Sequence, residues 1–263
     1  MEFKLKKKYG QNFLIDKNIT QKIASLGENK DNSLVIEVGC GDGRLTKYLC
    51  CYYTNVICYE IDKELDELLK VSLNKYSNYK IIFKDFLQCD IGCDIKDYQY
   101  ENLYVIANLP YYITTPIIEK LIELKLPYNK LIFMVQKEVG DRLSAKPCSK
   151  NYNSLTVYLN YYFDIKKEFL VSRKCFIPKP NVDSVVVSFT PKKKKREVTN
   201  EELFFKLVKD SFKYKRKNIK NNLENYDLEK IEKVLKKYNY DLNVRAEMLS
   251  LEVFLDISNE LSI

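Results

Sequence analysis

A chain of 263 residues that is 46% hydrophobic and 30% charged can bury a core of its own, which excludes a disordered polypeptide. No apolar run approaches the roughly 20 residues of a membrane span, and the start, MEFKLKKKYGQNFL, reads as neither a secretory leader nor an Arg-rich mitochondrial presequence. The absence of histidine excludes His-based triads, and eight cysteines without a C-x-x-C pair read as reduced structural thiols of a cytosolic protein that binds no metal.

In chain order, short apolar runs alternate with helical patterns. LVIEVG (34–39) reads as a buried strand and DGRLTKYLCCYY (42–53) as a helix. NVICYEID (55–62) is a second strand, followed by an amphipathic helix over KELDELLKVSLNKY (63–76). YKIIFKDF (79–86), LYVIANLP (103–110) and KLIFMVQ (130–136) continue the series, with a helix over TTPIIEKLIELK (114–125) between the last two. Strands alternating with helices imply parallel βαβ units and a doubly wound α/β sheet. Beyond residue 150, SLTVYLNYYFDIKKEFLV (154–171) and SVVVSF (184–189) read as β-like stretches that close the sheet as a hairpin. From about Glu197 the pattern is helical, so we expect domains at 1–191 and 192–263, divided at the lysine run.

The charge is uneven. Residues 192–220 hold twelve Lys and Arg against four acids, which matches the whole net charge of +8; Lys4 to Lys8 form a smaller cluster. PKKKKRE alone reads as a solvated linker. SFKYKRKNIKNNL (211–223) instead interleaves Phe212, Tyr214, Ile219 and Leu223 with cations, the pattern of a helix with one packed face and one facing phosphate. Lys213, Lys215, Arg216, Lys217 and Lys220 are therefore the candidate RNA contacts, with solubility or an acidic protein partner as the alternative.

EVGCGDGRLT sets Gly39, Gly41 and Gly43 between a strand and a helix, where glycine lets the backbone turn tightly and approach a ligand. The next strand ends in Glu60, placed to accept from ribose hydroxyls, and the third ends at Asp85, placed to accept from an adenine amino group. Taken singly, each carboxylate reads equally well as a helix cap. The G-x-G-x-x-G of dinucleotide sites is absent, because position 44 is Arg; with Glu37 just before the glycines, the pattern points to S-adenosylmethionine.

The strand ending in ANLPYY raises a separate question. An exocyclic amino group on a base is a poor nucleophile, because its lone pair is delocalised into the ring. The Asn108 amide oxygen and the Leu109 carbonyl can accept its hydrogens and favour a pyramidal nitrogen aimed at a methyl donor. Pro110 fixes the turn and Tyr111 can stack on an extruded base. The plainer alternative is a loop in which Asn108 caps the following helix.

YGQNFLID (9–16), EVGCGDGRLT (37–46), ANLPYYITTP (107–116), MVQKEVGDRLSAKPCSKNY (134–152), FIPKPNVDSVVVSF (176–189), YKRKNIKNNL (214–223) and RAEMLSLE (245–252) together resemble the KsgA-type ribosomal RNA adenine N6,N6-dimethyltransferase family, over nearly the whole chain. The resemblance implies a Rossmann-like S-adenosylmethionine-dependent methyltransferase sheet with a small all-helical C-terminal domain. It implies cofactor contacts from Asn12, Leu14, Gly39, Gly41, Glu60, Asp85 and Asn108, and a target adenine held by Asn108, Leu109, Pro110 and Tyr111, with Phe176 as a further aromatic face. The implied substrate is two adjacent adenines in a hairpin loop near the 3′ end of small-subunit rRNA, methylated late in subunit assembly by a cytoplasmic monomer. Departures are small: Asn153 stands where relatives often have Gly, and Lys215 where they have the first Arg of an Arg-Arg-Lys run, which keeps charge but not bidentate phosphate geometry. Alternatives are a large-subunit adenine methyltransferase conferring macrolide resistance, and a non-catalytic ribosome assembly factor; NLPYYITTP, VDSVVV and RAEMLS weigh against the first, and the intact cofactor set against the second.

Overall fold

The computed structural model describes residues 12–28, 30–109, 113–193 and 196–263. The chain divides into two compact units: one runs up to Gly140 and resumes over Lys166–Pro191, the other comprises Asp141–Ile165 and Lys192–Ile263. The regular elements are β1 (Phe13–Leu14), α1 (Lys17–Ala24), β2 (Ser33–Val38), α2 (Arg44–Tyr52), β3 (Asn55–Glu60), α3 (Asp66–Ser72), β4 (Tyr79–Phe83), α4 (Ile91–Ile95), β5 (Asn102–Asn108), α5 (Thr114–Glu123), β6 (Tyr128–Gln136), α6 (Lys137–Leu143), α7 (Ser154–Tyr162), β7 (Phe163–Val171), β8 (Phe176–Ile177), β9 (Ser184–Pro191), α8 (Glu201–Ser211), α9 (Ile219–Asn222), α10 (Leu228–Lys237) and α11 (Leu251–Leu261).

The first unit is built on a seven-stranded sheet of order β4-β3-β2-β5-β6-β9-β7. β2 pairs in parallel with β3 and β5, β3 with β4, and β5 with β6; β9 then runs antiparallel to β6. All six residues of β2 are buried, as expected of a strand covered on both faces. Because the chain leaves β2 on one side and β5 on the other, strand order reverses there, and the carboxyl ends of β2, β3, β4 and β5 share one edge. Ligands of open α/β sheets bind at such an edge. The expected closing hairpin exists in modified form: β9 lies between β6 and β7, while β8 leaves the sheet to pair with β1.

Three local expectations change. Residues 154–162 form a helix, not a strand: Asn153 caps α7 by accepting from Thr156 N, and Val157 and Tyr161, one turn apart, bury themselves with Phe204 and Leu207. Tertiary packing here overrides the β preference of a stretch with three Tyr, Thr156 and Val157. That same packing places residues 141–165 in the second unit, where the sequence predicts a first domain unbroken to residue 191. The helix expected over 63–76 is a 3-10 turn, Lys63–Leu65, running into the shorter α3.

The basic stretch 211–223 is not a continuous helix either. α8 ends at Ser211, and the chain loops before Asn218 caps α9. The cause is Asn222, whose side chain takes over helical hydrogen-bonding groups. Its Nδ2 donates to Ser211 O at 2.8 Å and its Oδ1 accepts from Tyr214 N at 3.1 Å. After Lys192 every regular element among the described residues is helical.

Candidate active site

The site begins where β2 ends. Gly39 and Gly41 have φ of 76° and 55°, backbone that L side chains rarely adopt. A Cβ on Gly39 would meet nothing within 4 Å, so open space lies against this backbone; one on Gly41 would come within 2.9 Å of the Phe13 ring. The loop is tied to the next strand by Glu60, whose Oε2 accepts from Gly41 N and Oε1 from Asp62 N, both at 2.9 Å. Glu60 is only 5% exposed, and burial raises its pKa against the lowering effect of these backbone donors. A carboxylate held in this way by main-chain N–H groups keeps lone pairs for further donors. Such a cradle, an open glycine backbone beside a fixed carboxylate, suits a ribose-bearing ligand.

Asp85 follows β4 on the same edge. It serves as the cap that the plainer reading allowed: Oδ1 accepts from Leu87 N at 3.0 Å. Oδ2 takes no hydrogen bond from any described residue, so capping and ligand contact are compatible.

Asn108 is the last residue of β5, and its Nδ2 donates to the carbonyl of Asn12 at 3.3 Å. With the amino side of the amide committed, Oδ1 is the atom left to accept. Leu109 is buried and its N–H donates to Met134 O at 3.1 Å. The segment after Asn12 is strapped down by antiparallel pairing of Phe13 with Ile177 and Leu14 with Phe176, and by Ile15 N donating to Cys175 O at 2.8 Å. Leu14, Gly39, Gly41 and Asn108 line one small cavity of about 50 Å³ with Phe13 and Glu37. Glu60 adjoins it through Gly41, while Asp85 lies off its lining. Phe176 is 3% exposed and packed in the core, so the further aromatic face expected of it is a buried ring. Pro110 and Tyr111 lie outside the described residues, as do Lys4 to Lys8, Lys194 and Lys195.

Glu37 on β2 is 1% exposed; its Oε2 accepts from Thr46 Oγ1 at 2.7 Å and from Cys58 Sγ at 3.5 Å. Burial pushes its pKa from 4.5 up to about 8. The folded state therefore keeps a proton that the unfolded chain has released, and stability present in full below pH 4.5 is lost as pH rises towards 8. Glu37→Gln removes the titration and keeps the shape. We expect thermal unfolding at pH 5 and pH 8 to show a wild-type loss, on the order of a few kcal/mol, that the variant lacks. Parallel behaviour of the two proteins would contradict the assignment.

In the second unit Lys213, Lys215, Arg216, Lys217 and Lys220 are all exposed, while Ile219 and Leu223 are buried beneath them. Tyr214 is 49% exposed, with the Lys217 and Lys213 ammonium groups 4.7 and 5.4 Å from its ring centre. The five cations are thus solvent-exposed on a pinned loop and a short helix, with Lys215 Nζ donating to the Lys150 carbonyl at 3.0 Å.

Comparison with known proteins agrees with this geometry. The family model described as ribosomal RNA adenine dimethylase matches residues 2–262. A ribosomal RNA small subunit methyltransferase A from Bacillus mycoides is 42% identical, covering 98% of this chain and 92% of that protein. The protein of the same name from Lactococcus lactis is 40% identical, covering 99% and 91%. Among solved structures, a dimethyladenosine transferase from Plasmodium falciparum superposes with a TM-score of 0.78 at 26% identity, covering 93% of this chain and 95% of that one. The 23S rRNA methyltransferase ErmE, at 23% identity and a TM-score of 0.77, covers 95% and 100% and shows the shared fold. With a glycine loop clamped by Glu60, an amide at the end of β5 and a match that runs nearly end to end, the chain belongs to the ribosomal RNA adenine dimethylase family.

Proposed function

We propose that this protein dimethylates N6 of two adjacent adenines in a hairpin loop near the 3′ end of small-subunit (16S) rRNA, late in small-subunit assembly, with S-adenosylmethionine as donor. The observation that carries the reading is the full-length match at 40–42% identity to proteins named for the small subunit. When bound, S-adenosylmethionine supplies an electrophilic methyl group on a sulfonium. Glu60 accepts from the ribose hydroxyls and Asp85 from the adenine amino group, with the open backbone at Gly39 and Gly41 letting the cofactor approach. Asn12 and Leu14 cover it from the strap. Asn108 Oδ1 and the Leu109 carbonyl accept the N6 hydrogens of the target base, which localises the nitrogen lone pair towards the methyl group. Pro110 and Tyr111 have their roles from sequence: a turn without an N–H, and a ring for the base to stack on. No protein base is required, because the nitrogen becomes cationic on methylation and its proton can leave to water.

None of the described helices is long and apolar enough to cross a membrane. We place the enzyme in the cytoplasm as a monomer that meets its rRNA within the assembling subunit. Tritiated S-adenosylmethionine offered separately to undimethylated small subunits and to large subunits tests the reading. Label is expected in the small-subunit rRNA; label in the large-subunit rRNA instead would overturn it in favour of the sister activity.

The exposed cations provide a further test. Each phosphate neutralised by a cation releases counterions and steepens the salt dependence of binding. Changing Lys215, Arg216 and Lys217 together to Gln is expected to flatten the slope of log K against log salt for small-subunit particles by about two units. Changing the tetralysine at 192–195 to Gln is expected to do less per charge removed. The reverse order, read from filter binding at several salt concentrations, would place the RNA surface on the wrong segment.

A further inference from the structure

Lys120 stands on α5, the helix that follows the Asn108 motif, and its ammonium is fully engaged. It donates to the carbonyls of Phe86 at 2.9 Å, Leu87 at 2.9 Å and Cys89 at 2.7 Å. An ammonium has three N–H donors, so all three are directed at one short turn. That turn is the one Asp85 begins. Asp85 Oδ1 accepts from Leu87 N, and its carbonyl accepts from Gln88 N at 2.9 Å and Cys89 Sγ at 3.3 Å. The Phe86 carbonyl also accepts from Cys89 N at 3.2 Å, closing the turn, and a cation is the group that best satisfies several such carbonyls at once. Lys120 also lies 5.5 Å from the centre of the Phe86 ring, which is buried edge-on against Tyr59 at 5.2 Å. The turn is therefore held from the sheet side by Phe86 and from α5 by Lys120.

We infer that Lys120 is a positioning residue: by clamping the 86–89 carbonyls it fixes where Asp85 presents its carboxylate, and so sets the preference for a cofactor whose base carries an amino group. The inference rests on the proposed contact of Asp85 with the adenine amino group. A carboxylate oxygen held in place accepts from an amino group and repels a ring carbonyl at the same position. A turn free to shift lets Asp85 move away, which weakens the contact and relaxes the rejection together. The clamp also joins the two halves of the reaction centre, because α5 leads directly from the target-base motif to the cofactor-base turn.

The test compares binding of S-adenosylhomocysteine and S-inosylhomocysteine, whose bases differ in amino against carbonyl and, at the adjoining N1, in a bare acceptor against an N–H. Calorimetry on the full chain is run for wild type, Asp85→Asn, Lys120→Met and the double variant. Wild type is expected to prefer the adenine compound by about tenfold or more, as for a hydrogen bond to a charged group. Lys120→Met is expected to lose most of that preference, and the double variant to lose little beyond Asp85→Asn alone. If Lys120→Met weakens both compounds equally while Asp85→Asn abolishes the preference, the lysine is merely structural and the inference falls with the Asp85 reading intact. If Asp85→Asn keeps the preference, the Asp85 reading itself fails and takes the inference with it. Should Lys120→Met not fold, Lys120→Gln retains part of the donor set and is expected to show an intermediate preference; an unaltered wild-type preference in it overturns the inference.

Discussion

Replacing Asn108 by alanine is expected to cut methyl transfer about 100-fold or more, with a much smaller loss of S-adenosylmethionine affinity. The reason is a division of labour within one amide. Its Nδ2 anchors the Asn12 carbonyl and helps hold the strap, so its removal costs some cofactor affinity. Its Oδ1 is assigned to the N6 hydrogens, an interaction that strengthens as the nitrogen pyramidalises. Single-turnover rates and cofactor affinity measured on the same variant separate the two roles. Equal proportional losses would mean that Asn108 only positions cofactor. A pH–rate profile requiring a protein base would contradict the proposed loss of the proton to water.

Glu60→Ala is expected to weaken S-adenosylmethionine binding about tenfold to a hundredfold, since hydrogen bonds to a charged acceptor contribute roughly 1.5–3 kcal/mol. Two losses act together. The ribose hydroxyls lose their acceptor, and the Gly41 and Asp62 N–H groups that the carboxylate now holds lose theirs. Glu60→Gln separates these losses in part, because its amide offers one acceptor oxygen and turns an amino group towards the other N–H. It is expected to bind cofactor more weakly than wild type despite its shape. Unchanged affinity in a folded Glu60→Ala protein, measured by calorimetry, would rule out the ribose role.

The shared edge that carries the glycine loop, Glu60 and Asp85 is legible because each lies at or just after a strand end, and strand ends of a parallel sheet share an edge by construction. Asn108 stands out for the opposite reason: it breaks the usual pattern of a strand end, and its amide ties the strap through the Asn12 carbonyl beside the role proposed for its oxygen. The Asn12–Leu14 strap carried no signal of its own. β1 is two residues long, and its partner β8 lies more than 160 residues further along the chain, so no local period records the pairing. The Lys120 clamp is invisible for a similar reason, since a lysine on an amphipathic helix looks the same whether it meets water or three carbonyls. α7 reads as a strand because Val and Tyr favour strands, and the residues that offer it a helical face, Phe204 and Leu207, lie about 50 residues further on. The basic loop was misread because cations interleaved with apolar residues fit a helix, and nothing local reveals that the Asn222 side chain captures Ser211 O and Tyr214 N.

The central claim is that the site places two methyl groups on one adenine nitrogen of small-subunit rRNA. Nucleoside analysis by mass spectrometry, after incubation of undimethylated small subunits with enzyme and S-adenosylmethionine, tests it most directly. N6,N6-dimethyladenosine is expected at two adjacent positions near the 3′ end, absent when Asn108→Ala replaces the wild type over the same interval. An end product that stays at N6-monomethyladenosine, or a methyl group on any other atom, would contradict it.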